Sequence, residues 1–261
     1  EGSMTKRLHP GEAARNGILS MELSRRGYTG PKTIFEGKYG FLRAYSHDPN
    51  ISKISDEIGR RFLIMRTAVK PYACCRYIHS PLTVIFDIIK KYKPNPKNIE
   101  KIKVKTVKPA INIVAEPRPN KINPKSVIEA QFSLPYSLAV AIIRGAAFVD
   151  EYTNELIKNQ NILDLAKKVE VENDTKLDKE FPEHWGSEIE IIMKNNKIIK
   201  KQIRNSKGDP ENPLTQREFD EKFTKLSGKI LDKKKTGDII SLVRKLDSVK
   251  DLSNLTSLCV A

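Results

Sequence analysis

The sequence has few cysteines and no long apolar run, and both absences exclude classes of protein. The three cysteines, Cys74, Cys75 and Cys259, are too few for a disulfide framework and favour a reducing compartment. A membrane-spanning helix needs ~20 apolar residues in a row, and the best stretch, residues 138–149, is interrupted by Arg144. A charged segment followed by an apolar one, as in a secretory signal, is not visible. We therefore expect a soluble, cytoplasmic protein without a membrane partner.

Common motifs of nucleotide, metal and hydrolase sites are also missing. The chain contains no GxGxxG, GxxxxGK[ST], HExxH or GxSxG pattern, so these classes of site are not indicated. Cys74 and Cys75 are adjacent rather than spaced as CxxC, and the four histidines are far apart. The sequence therefore predicts no metal site and no cofactor.

Acidic residues are the minority charge, and the excess of basic residues is large. The 261 residues carry 47 Lys and Arg against 32 Asp and Glu, a formal net charge of +15. A nucleic-acid partner would account for that charge, but most of the basic residues are lysines spread along the chain, whereas base recognition favours clustered arginine. We expect a solvated lysine surface and no nucleic-acid partner, with a few lysines lining a site for a small anion.

Local patterns predict helices at both ends of the chain and mixed structure between them. In the first part we predict a helix that begins near Pro10 and stops at Gly27, a buried strand over 61–69, a helix over 82–92 and a half-exposed strand over 99–107. The order helix, βαβ-like middle, helix favours an α/β insertion in a helical body.

In the second part of the chain, proline, glycine and capping residues mark the ends of the predicted elements more clearly. We predict a long helix over 126–144 that is interrupted at Pro135 and ended by Gly145, and a further helix over 154–168. Alternating runs on both sides of residues 195–196 predict a hairpin. A capping box over 215–218 opens another helix, and a last helix is expected over 237–246.

Two short segments are rich in cationic and imidazole side chains. The segment TKRLHPG places Lys6 and His9 just before the predicted first helix, and KPYACCRYIH places Lys70, Arg76 and His79 between a predicted strand and helix. A guanidinium can bind a carboxylate through two parallel bonds, and the N-terminus of a helix favours anions. Each segment alone is equally compatible with a surface turn. Together they favour a cationic pocket for a polycarboxylate.

These segments belong to a series of blocks that resembles the MmgE/PrpD family. The blocks are TKRLHPGEAARNG (5–17), GYTGP (27–31), FEGKYGF (35–41), KPYACCRYIH (70–79), EAQFSLPYSLAVAIIRG (129–145) and GDPENPLTQREFDEKF (208–223). The resemblance implies an α+β protein in which an α/β lid is inserted into an all-helical domain, and members that associate as dimers. It places portions of the helical domain at 1–69 and 206–261 and the lid at 70–205.

The resemblance also implies a cofactor-independent lyase of the 2-methylcitrate dehydratase type, as in propionate catabolism, acting on a di- or tricarboxylate. Lys6 and Lys70 are the expected catalytic residues, and His9, Arg76 and His79 the expected substrate-binding residues. Decarboxylase and epimerase members of the family are alternatives. Because members are much longer, we also expect a partner chain or a further segment that supplies a missing helical half, or else an inactive remnant that serves as an assembly or binding subunit.

Overall fold

A four-stranded mixed sheet lies within residues 5–260, the part of the chain that the computed structural model describes. Its strands are β1 (Ile99–Thr106), β2 (Val169–Asn173), β3 (Ser187–Met193) and β4 (Ile198–Ile203). The strand order is β2-β1-β3-β4, with β1 and β2 parallel and the other two pairs antiparallel. The sheet therefore contains one crossover connection, which runs from β1 to β2, and one hairpin.

The predicted strand at 99–107 is confirmed as β1. Ile102 and Val104 are fully buried, and the intervening lysines face the other side. Val104 pairs with Val171 of β2 and with Ile189 of β3. The alternation thus places one apolar face of the strand on the core, as the period of two requires.

Helices make up most of the rest of the described chain. They are α1 (Thr5–Arg25), α2 (Phe41–Tyr45), α3 (Ser52–Ser55), α4 (His79–Tyr92), α5 (Lys108–Ala110), α6 (Arg118–Ile122), α7 (Val127–Gln131), α8 (Leu134–Arg144), α9 (Gln160–Lys167), α10 (Thr175–Glu180), α11 (Gln216–Ser227), α12 (Lys233–Val243) and α13 (Ser253–Leu258). Short 3-10 turns occupy Leu63–Arg66, Arg76–Ile78, Pro96–Asn98, Val149–Glu151, Leu156–Lys158 and Leu246–Ser248, and a π-turn occupies Ile111–Ala115. The fold is α+β.

The core forms where α4 packs against α8 and against β3 and β4. Leu82, Ile85 and Ile88 of α4 are fully buried, and so are Leu138 of α8 and Ile162 of α9. The prediction of a helix over 82–92 is confirmed, although the helix begins earlier, at His79. All residues of α4 from His79 to Ile85 are buried, because the first half of the helix packs against both α8 and the sheet, and Ile88 continues the buried face.

The first helix differs at its start from the prediction and agrees at its end. Pro10 lies inside α1 rather than in its first turn, and Lys6 and His9 are helical residues instead of preceding the helix. The end at Gly27 is confirmed: Gly27 has φ +87°, and the Tyr28 N–H donates to the Leu23 carbonyl, as in a Schellman motif. No residue of α1 is buried.

The buried strand predicted at 61–69 is wrong. Residues Leu63–Arg66 form a 3-10 turn, and Ile64 and Met65 are each 77% exposed. At the end of this run, the Val69 N–H donates a hydrogen bond to the Gly208 carbonyl at 2.8 Å. A continuous apolar run does not by itself distinguish a buried strand from another apolar segment.

Other boundaries are corrected by local capping. The helix predicted over 126–144 is two helices, because Ser133 caps α8 by accepting the Tyr136 N–H and Pro135 occupies the first turn of α8. The end at Gly145 is confirmed by its φ of +72°. The helix predicted over 154–168 is shortened to α9, which begins after its N-cap Asn159, and the last predicted helix is shifted to α12.

The hairpin and the capped helix near the C-terminal end are confirmed. β3 and β4 pair on either side of residues 194–197, and Asn196 adopts φ +62° in the turn. Thr215 and Glu218 form the predicted capping box of α11. Within the described residues, no helix has the length and apolar character that crossing a membrane requires. The division into helical portions at 1–69 and 206–261 and a lid at 70–205 stays a prediction.

Candidate active site

The segment from Lys70 to His79 is a bent, irregular stretch that ends in a 3-10 turn and the start of α4. The Cys74 carbonyl lies at its centre, where it accepts the Lys70 ammonium at 3.1 Å and faces His79 Nε2 at 3.4 Å. The Cys75 N–H donates to the Gln131 carbonyl at 2.8 Å. A single backbone carbonyl therefore joins two of the predicted site residues, Lys70 and His79.

His79 is almost completely buried, with 1% exposure. Its pKa is lowered to about 3 by burial, and then by the positive charges of Arg76 and Lys70. The imidazole is therefore neutral near pH 7. Because the Cys74 carbonyl can only accept, Nε2 carries the proton in this contact. The ring centre lies 5.3 Å from that of Tyr72.

Arg76 already has a carboxylate partner. Its guanidinium forms an ion pair with Asp209, donates to the Ser206 hydroxyl at 2.9 Å and lies 4.5 Å from the Trp185 ring centre. Asp209 is itself fixed, because its Oδ2 accepts the Ser206 N–H at 2.8 Å. Arg76 thus links the segment just before α4 to the loop at residues 206–209. A role in binding a substrate carboxylate stays a prediction.

Lys6 approaches the same region from α1. Its ammonium lies 5.1 Å from the Phe132 ring centre, and Arg7 donates to the Gln131 side chain at 2.7 Å. The residues at the end of α7 therefore contact α1 through side chains and the Lys70–His79 segment through the Gln131 backbone. His9 is exposed on α1 and makes no side-chain contact with the described residues of this region.

The two cysteines of the segment are free and buried. Burial raises the pKa of the Cys74 thiol to about 12, so this group is a protonated thiol near neutral pH and a poor nucleophile. Among residues 5–260, no three His, Cys, Asp or Glu side chains lie close enough together to hold a metal ion.

Lys222 of α11 lies in the same charged neighbourhood, and no sequence pattern predicts it there. Its pKa is lowered by partial burial and by the charge of Lys70, and it also contributes to the lowered pKa of His79. The apolar spacing of α11 identifies the helix but contains no signal that brings Lys222 to Lys70.

Comparison with known proteins identifies the chain's relatives. Residues 72–248 match the MmgE/PrpD C-terminal domain, and residues 1–54 match the MmgE/PrpD N-terminal domain. Cis-aconitate decarboxylase of Aspergillus terreus is 26% identical over 98% of this chain and 55% of its own length. Cis-aconitate decarboxylase of Mus musculus is 24% identical over 98% of this chain and 52% of its own. The chain spans about half the length of these relatives.

Proposed function

Because the chain belongs to the MmgE/PrpD family, we propose that it forms part of a lyase that acts on a small di- or tricarboxylate. The similarity to cis-aconitate decarboxylases supports decarboxylation of a cis-aconitate-like substrate as the first reaction to test. Dehydration of a 2-methylcitrate-like substrate is the second. The two reactions share an intermediate with carbanion character and differ in the group that leaves.

The convergence of two cationic segments carries this proposal. Lys6 contacts Phe132, and the Lys70 segment is bonded through Cys75 to the neighbouring Gln131. Lys6 and the backbone of the segment that contains Lys70 thus reach neighbouring residues at the end of α7. Fixed cations beside a reacting carboxylate stabilise the negative charge that develops when a carbon–carbon or carbon–hydrogen bond breaks.

In the proposed mechanism the lysines serve at the reacting centre. In decarboxylation the carbon–carbon bond to the departing carboxylate breaks, its electron pair delocalises toward a remaining carboxylate, and a proton is added to carbon. In dehydration a proton is removed from carbon and the hydroxyl leaves with a proton from a general acid. Lys6 and Lys70 are proposed to stabilise the charge or to transfer the proton. His79 and Arg76 are proposed to hold the Lys70 segment in position, within a lid formed by residues 70–205.

The proposal is tested by assaying the chain with cis-aconitate, 2-methylcitrate and citrate and following the products by proton NMR. The chain is assayed alone and after co-expression with the part of the Aspergillus terreus relative that lies outside the aligned region. We expect turnover of one substrate, and its loss in Lys6→Ala and Lys70→Ala but not in Lys233→Ala, which changes an exposed lysine of α12. Absence of turnover in both preparations, or full turnover by both site variants, would refute it.

A second candidate is an assembly or binding subunit, which the exposed apolar surface of the first part of the chain favours. Ile18, Met21, Phe35, Phe41 and Ile64 are each at least half exposed. Surfaces of this kind are common where proteins associate. Light scattering after size-exclusion chromatography distinguishes the candidates, because an inactive chain that is stably associated would favour assembly, whereas an inactive monomer would contradict it.

A further inference from the structure

A cavity of about 270 Å³ lies between the Lys70–His79 segment, the loop after α8 and helix α11. We name it the Lys222 pocket. Its main lining residues are Tyr72, Phe86, Phe148, Lys207, Lys222 and Lys225, together with Glu218 and Glu221. The volume is close to the ~300 Å³ at which small-molecule sites begin, so the pocket has the size for a small metabolite.

The two acidic residues of the pocket each have an ion-pair partner outside the Lys222–Lys225 pair. Glu218 accepts the Lys207 ammonium at 2.9 Å and also caps α11. Glu221 accepts the Arg217 guanidinium at 2.8 Å on the surface of the same helix. Neither carboxylate forms an ion pair with Lys222 or Lys225.

Lys222 and Lys225 are the cations that remain without a carboxylate. Lys225 lies 5.9 Å from the Phe148 ring centre, and Lys222 has no hydrogen bond or ion pair with the described residues. Lys222 is also partly buried, and its pKa is lowered by that burial and by Lys70. A partly buried ammonium beside another cation is unfavourable unless an anion compensates it.

Three aromatic side chains also line the pocket. Tyr72 and Phe86 are stacked with their ring centres 5.2 Å apart, and Phe148 also lines the pocket. Such walls bind the flat or apolar body of a ligand, while a few polar groups fix its orientation. The pocket thus combines uncompensated positive charge with a flat apolar surface.

We propose that the Lys222 pocket binds a small organic anion, with its oxyanion on Lys222 and Lys225 and its apolar body against Tyr72, Phe86 and Phe148. The pocket adjoins Lys70 of the candidate active site, but this inference does not depend on the proposed lyase, because it concerns binding and requires no turnover. A chain that turns over no tricarboxylate but binds such an anion would overturn the proposed function and leave this inference intact.

The test is a fluorine NMR titration of the full chain with 4-fluorobenzoate in a buffer low in competing anions. We expect saturable binding, weakened about tenfold by Lys222→Gln and by less by Lys225→Gln, because a partly buried charge-assisted contact is lost. Lys233→Gln, on the exposed start of α12, is the matched control and is expected to change the affinity by less than about twofold. Circular dichroism verifies that each variant is folded.

Two further ligands separate the alternatives. The neutral 4-fluorobenzyl alcohol is expected to bind at least about tenfold more weakly than the benzoate, and equal binding would overturn the role of the lysines. Inorganic phosphate that binds as tightly as the benzoate would overturn the role of the aromatic wall. Lack of saturation by 4-fluorobenzoate, or loss of binding in Lys70→Gln but not in Lys222→Gln, would overturn the inference and place the anion at the candidate active site.

Discussion

The stability of the folded chain is expected to depend on pH through His79. An unfolded histidine has a pKa of about 6.5, whereas burial and the charges of Arg76 and Lys70 lower the pKa of His79 to about 3 in the folded state. Between these values the unfolded chain binds one more proton than the folded chain at this position. The contribution of His79 to stability is therefore fully present above pH ~6.5 and is lost as the pH falls toward ~3.

The size of this effect follows from the shift. One proton changes the free energy of unfolding by about 1.4 kcal/mol per pH unit. We expect His79 to account for a loss of about 2 kcal/mol between pH ~6.5 and ~5, and of about 4 to 5 kcal/mol by pH ~3. A loss of 2 kcal/mol is a large part of the stability of an ordinary domain.

Urea unfolding at pH values of about 7, 6 and 5 measures this contribution. Trp185 is the single tryptophan and lies against Arg76, so its fluorescence reports on the structure around His79. His79→Gln retains a donor for the Cys74 carbonyl and does not titrate. We expect its stability to fall by about 2 kcal/mol less than that of the parent over this range.

The control variant is His47→Gln, because His47 is exposed. It is expected to follow the pH dependence of the parent chain. Equal pH dependence of the parent and His79→Gln would refute the reasoning, and so would an NMR titration in which the His79 ring protonates near pH ~6.5 in the folded state.

Two further predictions concern the loop that fixes Arg76. Asp209→Asn removes the carboxylate from a mostly buried ion pair and is expected to lower the free energy of unfolding by about 2 to 3 kcal/mol. Gly208→Ala is expected to cost about 3 kcal/mol or more, because a Cβ there would lie 1.9 Å from the Val69 carbonyl oxygen at φ +93°. Gly145→Ala, at φ +72° with no atom within 4 Å, is expected to cost only about 1 kcal/mol. Urea unfolding measures all three.

Glu221→Gln is the control for Asp209→Asn. It removes an exposed ion pair with Arg217 and is expected to change stability by less than about 0.5 kcal/mol. Equal losses in the two acidic variants would contradict the structural role given to Asp209. Equal losses in Gly208→Ala and Gly145→Ala would show that the Val69 carbonyl moves away without cost.

Elements whose signals are local were predictable from the sequence. β1 alternates from residue 101 to residue 106, the hairpin has its turn residues between two apolar runs, and α11 has a capping box at Thr215. In each case the pattern that buries the side chains and the residues that end the element lie within a few positions of each other. Tertiary contacts were not needed to identify them.

Elements that depend on distant partners were not predicted. The apolar run at 61–69 satisfies the composition of a buried strand but pairs with no strand of the described chain, so it forms the 3-10 turn at Leu63–Arg66. β2 is the opposite case, a strand with a weak sequence signal and a strong partner. Val169 and Val171 alternate with glutamates over only a short segment, and the segment forms a strand because it pairs with β1. Sequence periodicity alone does not show whether a neighbouring strand is available for a segment to pair with.

In the candidate site, too, proximity within one segment is predictable from the sequence, whereas contacts between side chains and distant residues are not. The sequence brings Lys70, Arg76 and His79 together because they lie in one segment. It does not show that Lys70 and His79 contact one carbonyl, which depends on the orientation of the Cys74 peptide. It also does not show that Arg76 binds Asp209, 133 positions away.

The lysine side chains lie in two different environments, and the sequence does not distinguish them. On the sheet, Lys101 pairs with Glu170 of the neighbouring strand at 3.0 Å, and Lys200 pairs with Glu188 at 2.9 Å. These cross-strand pairs follow from strand register and leave little local charge for a ligand. Lys222 forms no ion pair with any described residue, and its pKa is lowered by the charge of Lys70, whose ammonium donates to the Cys74 carbonyl. The position of the nearest carboxylate, rather than the number of lysines, therefore determines where this basic protein can bind a small anion.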